Sequence, residues 1–343
     1  MRERASGAHA AGAASSGPVR QVRIDEDRTG QRLDNFVVGL CKGVPKSHLY
    51  RLIRSGQVRV NGGRRSADYR LQGGDTIRVP PLRMAAAPAA HGPGSDPVQR
   101  SRAALADRLP VLYEDDALVV IDKPESVAVH GGSGVSSGVI EQLRAARPEA
   151  RFLELAHRID RGTSGILVVA RKRQALLALQ AQWRERAPEK SYLAIVAGRW
   201  PLRSKTLAFP LLRRAAPNGD RRVAVHAAGQ EAITRVRGLA QFELHAAGDF
   251  TLVEARIETG RTHQIRVHLT HAGFPIAGDD KYGDFALNRA LARGEQVPGL
   301  RFERMFLHAR RLAFDHPATG QCVELEAPLP PELQQFLAHA APL

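Results

Sequence analysis

The stretch best suited to chemistry is a polar turn from His157 to Gly165, which reads His-Arg-Ile-Asp-Arg-Gly-Thr-Ser-Gly. Its single acid, Asp160, stands between Arg158 and Arg161, and the apolar run Ile166 to Ala170 follows. Gly, Ser and Thr clustered before a β-branched run are typical of a tight turn leading into a buried strand. A carboxylate held between arginines stays ionised, as a nucleophile or a general base must. A turn aspartate in a surface ion pair is the competing interpretation, and a catalytic role for Asp160 requires partner residues elsewhere in the chain.

A glycine-rich loop is the first candidate partner. Lys123 and Pro124 end an apolar run, and glycines and serines fill the segment from His130 to Gly138. The backbone N–H groups of such a loop can wrap a phosphate. No Lys-Ser or Lys-Thr pair follows the glycines, so the loop is not a P-loop. A mobile surface loop is the competing interpretation.

Tyr192 is the second candidate. The segment Lys190 to Ala194 predicts a strand with a tyrosine close to a basic residue. The ring of such a tyrosine can stack on a base, and its hydroxyl can bond to an acid. An ordinary core tyrosine is the competing interpretation.

Arg266 is the third candidate and lies in the segment Glu258 to His268. Gly260 predicts the end of a strand, and Thr262 predicts the cap of a helix over residues 262–271. Apolar residues within that helix indicate that much of it is buried, and a buried arginine needs an acid partner. Asp160 offers one. A solvated polar helix is the competing interpretation.

Other chemistries find less support in the sequence. His263, His268 and His271 do not have the HExxH spacing, and no acid or cysteine completes a ligand set, so no metal site is predicted. The chain contains neither a GxSxG elbow nor a dinucleotide-binding glycine fingerprint after a strand. Cys322 has no histidine motif nearby, which argues against thiol catalysis.

Composition points to a polyanionic partner. The chain has 343 residues, a formal net charge of +15 and a sequence pI near 10.7. Nucleic acid is the leading candidate for such a basic protein. The two cysteines, Cys41 and Cys322, exclude a disulfide framework and suggest a reducing compartment. No apolar run approaches the roughly 18 residues of a membrane span, so a cytoplasmic protein without a membrane partner is expected.

The chain is expected to divide into five parts. Residues 1–20 resemble a disordered tail, with a transit peptide as the alternative. Residues 21–80 predict a compact basic unit. Residues 81–108, rich in Pro, Ala, Gly and Ser, predict a flexible linker. Residues 109–330 predict the main domain, and 331–343 a C-terminal tail.

The small unit is predicted to be α/β. Apolar spacing predicts helices over 31–41 and 46–55, and short strands are expected at 22–24, 58–61 and 75–79. The order of these pieces resembles an S4 RNA-binding domain. Its candidate RNA contacts are Lys46, His48, Arg51, Arg54, Arg59 and Asn61.

The main domain is predicted to be α+β with a mostly antiparallel mixed sheet. Many short strands alternate with turns, and helices occur without regular βαβ alternation. Among the strands, Val223–Ala227 and Glu231–Val236 predict a hairpin, and Phe250–Thr259 predicts a long alternating strand.

Taken together, these motifs resemble the RluA-type pseudouridine synthases over residues 21 to about 330. The family signature HRLDRDTSG matches 157–165, with Ile159 in place of Leu and Gly162 in place of the second Asp. The KPxGxxVH motif matches Lys123 to His130, with Ser126 where Gly is usual. The other matches are KxYxA at 190–194, GRTHQIRVH at 260–268, GDxxYG at 278–283, and the pieces 307–309 and 316–317.

The resemblance implies isomerisation of uridine in RNA, in which the N1–C1′ bond breaks and C5 joins C1′. Asp160 would attack C1′ or remove the C2′ proton, Arg266 would pair with it, and Tyr192 would stack on the uracil and assist proton removal from C5. Arg158 would fill the gap left by the flipped base, since a stacked base is unreachable. The other substrate contacts that it implies are Arg161, Lys123, His130, Arg261 and Ile265. No cofactor or metal is implied.

The S4-like unit and the loop after His130 favour the branch of the family that modifies several uridines of 23S ribosomal RNA. The expected partner is large-subunit ribosomal RNA or an assembling ribosomal particle, and the enzyme is expected to be a monomer. Two alternatives stay open. One is a synthase for another ribosomal site or for tRNA, and the other is a non-catalytic RNA-binding factor of ribosome assembly.

Overall fold

The structure is a computed structural model, and its chain forms two compact units that divide near residue 94. The residues it describes are 19–25, 28–41, 44–82, 109–131, 138–215, 221–295 and 297–343. Residues 1–18 of the expected tail, residues 83–108 of the expected linker and the loop positions 132–137 lie outside the described residues. Within the described part, no helix has the length and apolar character needed to cross a bilayer.

The first unit has the predicted α/β composition. Two helices, α1 (Leu33–Leu40) and α2 (Lys46–Arg54), accompany a sheet in the order β1-β3-β2. Its strands are β1 (Arg20–Arg23), β2 (Arg59–Val60) and β3 (Thr76–Val79). The apolar face of α2 is buried in this unit's core, so amphipathic spacing predicted these helices correctly.

The second unit is built on a sheet of eleven strands, and its main path runs β16-β12-β13-β8-β14-β7-β5-β4. Strands β15, β6 and β9 pair with β14, β7 and β12. Among the described strands, β14 and β7 run parallel and the other pairs are antiparallel. The predicted α+β class with a mostly antiparallel mixed sheet is confirmed. The strands of this unit, including the separate pair β10-β11, are β4 (Val111–Glu114), β5 (Leu118–Lys123), β6 (Glu154–Leu155), β7 (Ser164–Ala170), β8 (Glu189–Ala197), β9 (Ser204–Leu207), β10 (Leu211–Ala215), β11 (Arg221–Val225), β12 (Thr234–Glu243), β13 (Asp249–Ile257), β14 (Leu307–Asp315), β15 (Cys322–Glu326) and β16 (Ala341–Pro342).

Helices cover both faces of this sheet, because alternate residues of each strand point to opposite sides. On one face, Tyr192 of β8 shares a core with Leu143 and Ile265 from two helices. On the other face, Ile195 of β8 shares a core with Phe336. The helices are α3 (Val139–Ala146), α4 (Arg173–Glu185), α5 (Gln264–His271), α6 (Phe285–Arg293) and α7 (Pro331–Ala338).

Three expectations about the second unit are wrong. The hairpin between 223–227 and 231–236 does not form, because β11 pairs with β10 and β12 pairs with β9 and β13. Residues 331–343 are not a loose tail, since α7 buries Leu333 and Phe336 and β16 joins the sheet. Thr262 does not cap α5.

Candidate active site

The polar turn at 157–165 is fixed by an apolar anchor and a backbone bond. Ile159 is buried in the main core, so the next residue, Asp160, turns toward the surface. The turn closes through a bond from the Thr163 N–H to the Asp160 carbonyl at 3.1 Å. At its start, His157 Nε2 accepts from the Val168 N–H at 3.1 Å. Burial lowers the pKa of His157 to about 4, so the imidazole is neutral, as an accepting nitrogen requires.

Lys123 ties this turn to the neighbouring loop from behind. Its side chain is fully buried, and Nζ donates to the carbonyls of Pro124 at 2.6 Å, Val127 at 2.9 Å and Arg161 at 3.1 Å. Burial lowers the pKa of this amine to about 7. The expectation that Lys123 contacts substrate is therefore corrected, because all three donors serve the fold.

A second buried network holds the end of the turn. Ser164 Oγ lies 2.9 Å from His308 Nδ1 and accepts from Arg304 Nη2 at 2.7 Å. Gly165 has a φ of +106°, and a Cβ there would lie 2.3 Å from the Ala309 carbonyl oxygen. The close parallel approach of β7 and β14 thus requires glycine at this position.

Arg266 is held mainly by an acid that the sequence analysis did not assign to it. Its Nε and Nη2 donate to the two carboxylate oxygens of Asp279 at 2.7 and 2.6 Å, and Nη2 also reaches Asp280 at 3.0 Å. Both Arg266 and Asp279 are buried. Burial by itself lowers the pKa of the guanidinium, but the Asp279 bonds outweigh it and the net shift is upward.

Asp160 faces this fixed guanidinium across a short gap. Arg266 Nη1 lies 3.8 Å from one oxygen of Asp160, and His263 Nε2 lies 4.0 Å from the other. Both separations exceed hydrogen-bond range. The carboxylate is 18% exposed and lines the cavity. The predicted proximity of Asp160 and Arg266 is present, though as an ion pair without a hydrogen bond.

Tyr192 forms part of the same pocket. Its side chain rises from β8 and is 9% exposed. Burial, followed by the charge of Asp160, raises the pKa of its phenol well above the usual value. The neutral phenol therefore predominates near neutral pH.

His263 begins α5 in a left-handed backbone conformation, with a φ of +55°. This turn, rather than the predicted Thr262 cap, starts the helix. His263 Nδ1 lies 2.8 Å from the hydroxyl of Tyr282, which keeps Nε2 directed at Asp160. Burial lowers the pKa of His263, with Asp160 opposing that shift and Arg266 adding to it.

A cavity of about 140 Å³ opens above Asp160, and Tyr192 and Arg266 also line it. Of the predicted substrate contacts, Arg158, Arg261 and Ile265 line this cavity. Arg161 is exposed outside it and donates to the Ser126 carbonyl at 2.8 Å. His130 is exposed beside the positions that lie outside the described residues.

The predicted RNA contacts of the first unit lie on α2, on β2 and in the turn that follows β2. Lys46, Arg51 and Arg54 are exposed on α2, and His48 Nδ1 lies 2.7 Å from Arg51 Nη2. Arg59 is exposed on β2 and bonds to the Gly62 carbonyl at 3.0 Å.

Asn61 has a role in the turn between β2 and β3. It adopts a φ of +50°, its amide donates to Asp75 at 2.7 Å, and its oxygen accepts from the Thr76 N–H at 2.8 Å. Its amide group therefore has a structural role in the turn, while the side chain is exposed and the RNA contact stays a prediction. Arg78, paired across the sheet with Arg59, is an exposed cation that sequence reasoning missed.

Sequence reasoning also missed three residues of the site. Asp279 lies within the GDxxYG match, so the motif was visible, but nothing in the local pattern linked it to Arg266. His263 was considered only as a metal ligand. Arg213 of β10 lines the cavity and donates to Thr262 Oγ1, and no local signal marked it.

The cavity brings together an aspartate, a neutral phenol and a fixed guanidinium, within a strongly basic chain. This is a site for acid-dependent chemistry on an RNA nucleotide. Comparisons with known proteins agree. A family model for RNA pseudouridylate synthases matches residues 117–271, and an S4 domain model matches 31–77.

Relatives extend the match over nearly the whole chain. The chain is 49% identical to ribosomal large subunit pseudouridine synthase C of Yersinia pestis, covering 93% of this chain and 95% of the relative. It is 47% identical to the protein of that name from Escherichia coli (strain K12), covering 93% and 96%. Among solved structures, human RNA pseudouridylate synthase domain containing 1 superposes with a TM-score of 0.56 at 26% identity, covering 74% of this chain and 92% of that one.

The chain therefore belongs to the RluA-type family of RNA pseudouridine synthases, with an S4 domain in front. It is an enzyme that isomerises uridine to pseudouridine in RNA. The family and enzyme predictions from the sequence motifs are confirmed.

Proposed function

We propose that this enzyme isomerises specific uridines of large-subunit (23S) ribosomal RNA, with Asp160 as the group that acts on the ribose. The observation that carries the proposal is the geometry of Asp160. Its carboxylate faces an open cavity, 3.8 Å from the buried guanidinium of Arg266. The names of the relatives support the choice of large-subunit RNA.

Asp160 begins the reaction at the sugar. Attack of a carboxylate oxygen on C1′, or removal of the C2′ proton, breaks the N1–C1′ bond. Both routes need a carboxylate with an available lone pair. The Asp160 oxygens lie 3.8 and 4.0 Å from Arg266 and His263, which is beyond hydrogen-bond range, so their lone pairs are available. The uracil then turns and C5 joins C1′. The Asp160–C1′ bond breaks in the first route, and C2′ regains its proton in the second. In both routes C5 loses a proton and N1 gains one, so the reaction is an isomerisation.

Tyr192 holds the uracil during this turn. Because burial raises the pKa of its phenol, the side chain is a poor base and a good packing surface and hydrogen-bond donor. We therefore assign Tyr192 to positioning the base against the ribose, rather than to removing the C5 proton.

Arg158 is exposed beside the cavity and takes the place of the flipped base in the RNA. Flipping is needed because C1′ and the base edges are unreachable in a stacked helix. The proposal includes a monomeric enzyme, with Asp160, Tyr192 and Arg266 in one cavity. The proposal also includes a cytoplasmic enzyme that acts on ribosomal RNA or an assembling particle.

The test compares Asp160→Asn with Asp116→Asn, an exposed acid outside the cavity. Each variant is returned to cells lacking the gene, and pseudouridines in large-subunit ribosomal RNA are mapped by carbodiimide modification and primer extension. We expect the missing pseudouridines to return with Asp116→Asn and not with Asp160→Asn. Purified Asp160→Asn should still bind the RNA.

Two results would contradict the proposal. Full activity of Asp160→Asn would remove this residue from the chemistry. Loss of pseudouridine only in tRNA or in another ribosomal RNA from the deletion cells would move the substrate elsewhere.

A further inference from the structure

A second, larger groove adjoins the active cavity. Its volume is about 600 Å³, and it shares the wall residues Arg158, Tyr192 and Arg261 with that cavity. The groove continues over the C-terminal end of α4 to Trp183, and no step proposed above for the uridine uses this part of the surface.

Cations without a protein partner line the groove. Among the described residues, neither Arg184 nor Lys190 has an ion-pair or side-chain hydrogen-bond partner, although both line the groove. Burial lowers the pKa of Lys190, and the neighbouring Arg186 lowers it further. A partly buried ammonium without a counter-ion is unfavourable unless an anion joins it.

The acid in the groove does not neutralise these cations. Glu258, the acid among the groove's lining residues, bonds to Arg235 instead. Arg186 bonds to Glu231, which is not part of the lining. The groove is therefore net positive and ready for a phosphate.

One wall of the groove is aromatic. Trp183 stacks on His157, with ring centroids 5.2 Å apart and an angle of 19° between the planes. Both rings line the groove, and Trp183 is half-buried. Aromatic surface beside positive charge is the combination that binds single-stranded nucleotides.

We propose that this groove is a second nucleotide subsite. It takes a nucleotide next to the target uridine, with the phosphodiester on Arg184 and Lys190 and the base against the wall of His157 and Trp183. The proposal rests on the proposed function, since it needs a uridine in the active cavity. The subsite reads the RNA strand beside the uridine and contributes to the choice of target.

The first test measures the salt dependence of RNA binding. The probe is a single-stranded segment of large-subunit ribosomal RNA around a uridine whose modification is lost in cells lacking the gene. Arg184→Ala and Lys190→Met each remove one charge, and methionine keeps the packing of the lysine stem. Each should flatten the slope of log Kd against log salt by about 0.7, the value for one phosphate contact on a single strand.

Lys172→Ala is the matched control for these variants. Lys172 is an exposed cation at the other end of α4, roughly 18 Å from Arg184 along the helix axis. Its removal should leave the slope unchanged. Equal slopes for Arg184→Ala, Lys190→Met and Lys172→Ala would overturn the phosphate assignment.

The second test concerns the base. Probes with an abasic site at each position flanking the uridine are compared in the wild type and in Trp183→Leu. One flanking abasic site should weaken wild-type binding about tenfold, which is within the range for stacking on an aromatic ring. The same abasic site should have little further effect in Trp183→Leu. Additive losses at every position would refute the aromatic wall.

The two proposals fail in different ways. If the wild type forms no pseudouridine in the probe, the substrate assignment fails. If the wild type is active and the groove variants behave like Lys172→Ala, the subsite alone is wrong.

Discussion

The sharpest test of the active-site geometry is Asp279, an acid that does not line the active cavity. Asp279 is fully buried and holds Arg266 through two bonds of 2.6 and 2.7 Å. It also accepts the N–H groups of Lys281 and Tyr282 at 2.9 Å. Asp279→Asn keeps the shape of the side chain but removes the charge and turns one acceptor into a donor that faces the guanidinium.

The magnitude follows from the burial of the pair. Removing one partner of a buried ion pair typically destabilises a protein by about 3–5 kcal/mol. The nearby Asp280 compensates little, because its side chain is 92% exposed and surface pairs contribute roughly 0–1 kcal/mol. For a unit of this size, we expect the unfolding midpoint of the second unit to fall by about 10 °C.

The same change should also reach the chemistry. Once Asp279 loses its charge, the acids near Arg266 are the exposed Asp280 and Asp160 in the cavity. The guanidinium should then move toward Asp160. A direct hydrogen bond would then occupy a lone pair that the reaction needs. We expect kcat to fall by about 100-fold, the scale of a displacement of roughly 1 Å at a reacting centre.

The assay is tritium release from RNA labelled at C5 of uridine, measured well below the unfolding midpoint, together with thermal unfolding. Asp280→Asn is the control, since it removes the same charge from the exposed neighbour. Its stability and kcat should stay close to those of the wild type. If Asp279→Asn matched this control in both measurements, Asp279 would not be the support of Arg266.

Three other predictions concern stability and RNA binding. Burial lowers the pKa of His308 from 6.5 to about 4, so the unfolded chain binds more protons between these values. The free energy of unfolding therefore decreases as the pH is lowered through that window. Between pH 7 and pH 5 the wild type should therefore lose about 2 kcal/mol more than His308→Gln, and equal losses in the two proteins would contradict this. Gly162→Asp should change stability by less than about 0.5 kcal/mol in urea unfolding, because a Cβ there meets only Met305 Cε at 3.5 Å; a larger loss would show that the turn requires glycine. Deleting residues 1–80 should weaken RNA binding and flatten its salt dependence, whereas an unchanged slope in filter binding would show that the first unit does not contact RNA.

The sequence predicted the parts of this enzyme that depend on local pattern. The amphipathic spacing of α2 and the all-apolar run of β7 are set by which neighbours each residue has along the chain, and both elements form. The turn at Asn61 and Gly62 formed as expected, because both residues tolerate positive φ.

Contacts between distant segments were not predictable in this way. Lys123 was taken for a substrate contact, since the sequence does not show that its ammonium lies beneath the turn and bonds to the Arg161 carbonyl. The hairpin predicted between 223–227 and 231–236 failed for a different reason, because two neighbouring segments competed for the same strand. The strand Arg221–Val225 pairs with a segment earlier in the chain instead of the one that follows it.

The incorrect assignment of Lys123 and the missed role of Asp279 share a physical explanation. Carbonyls on the buried side of the turn cannot bond to water, so their hydrogen-bond donors must come from elsewhere in the fold. Lys123 supplies them on one side of the turn, and on the other side Asp279 holds Arg266 in place without help from Asp160. Because both supports are complete without Asp160, its carboxylate oxygens need not contribute to the fold. Among the described residues, no group donates a hydrogen bond to the Asp160 carboxylate, so its oxygens are available before RNA arrives, which is the preorganisation that catalysis requires.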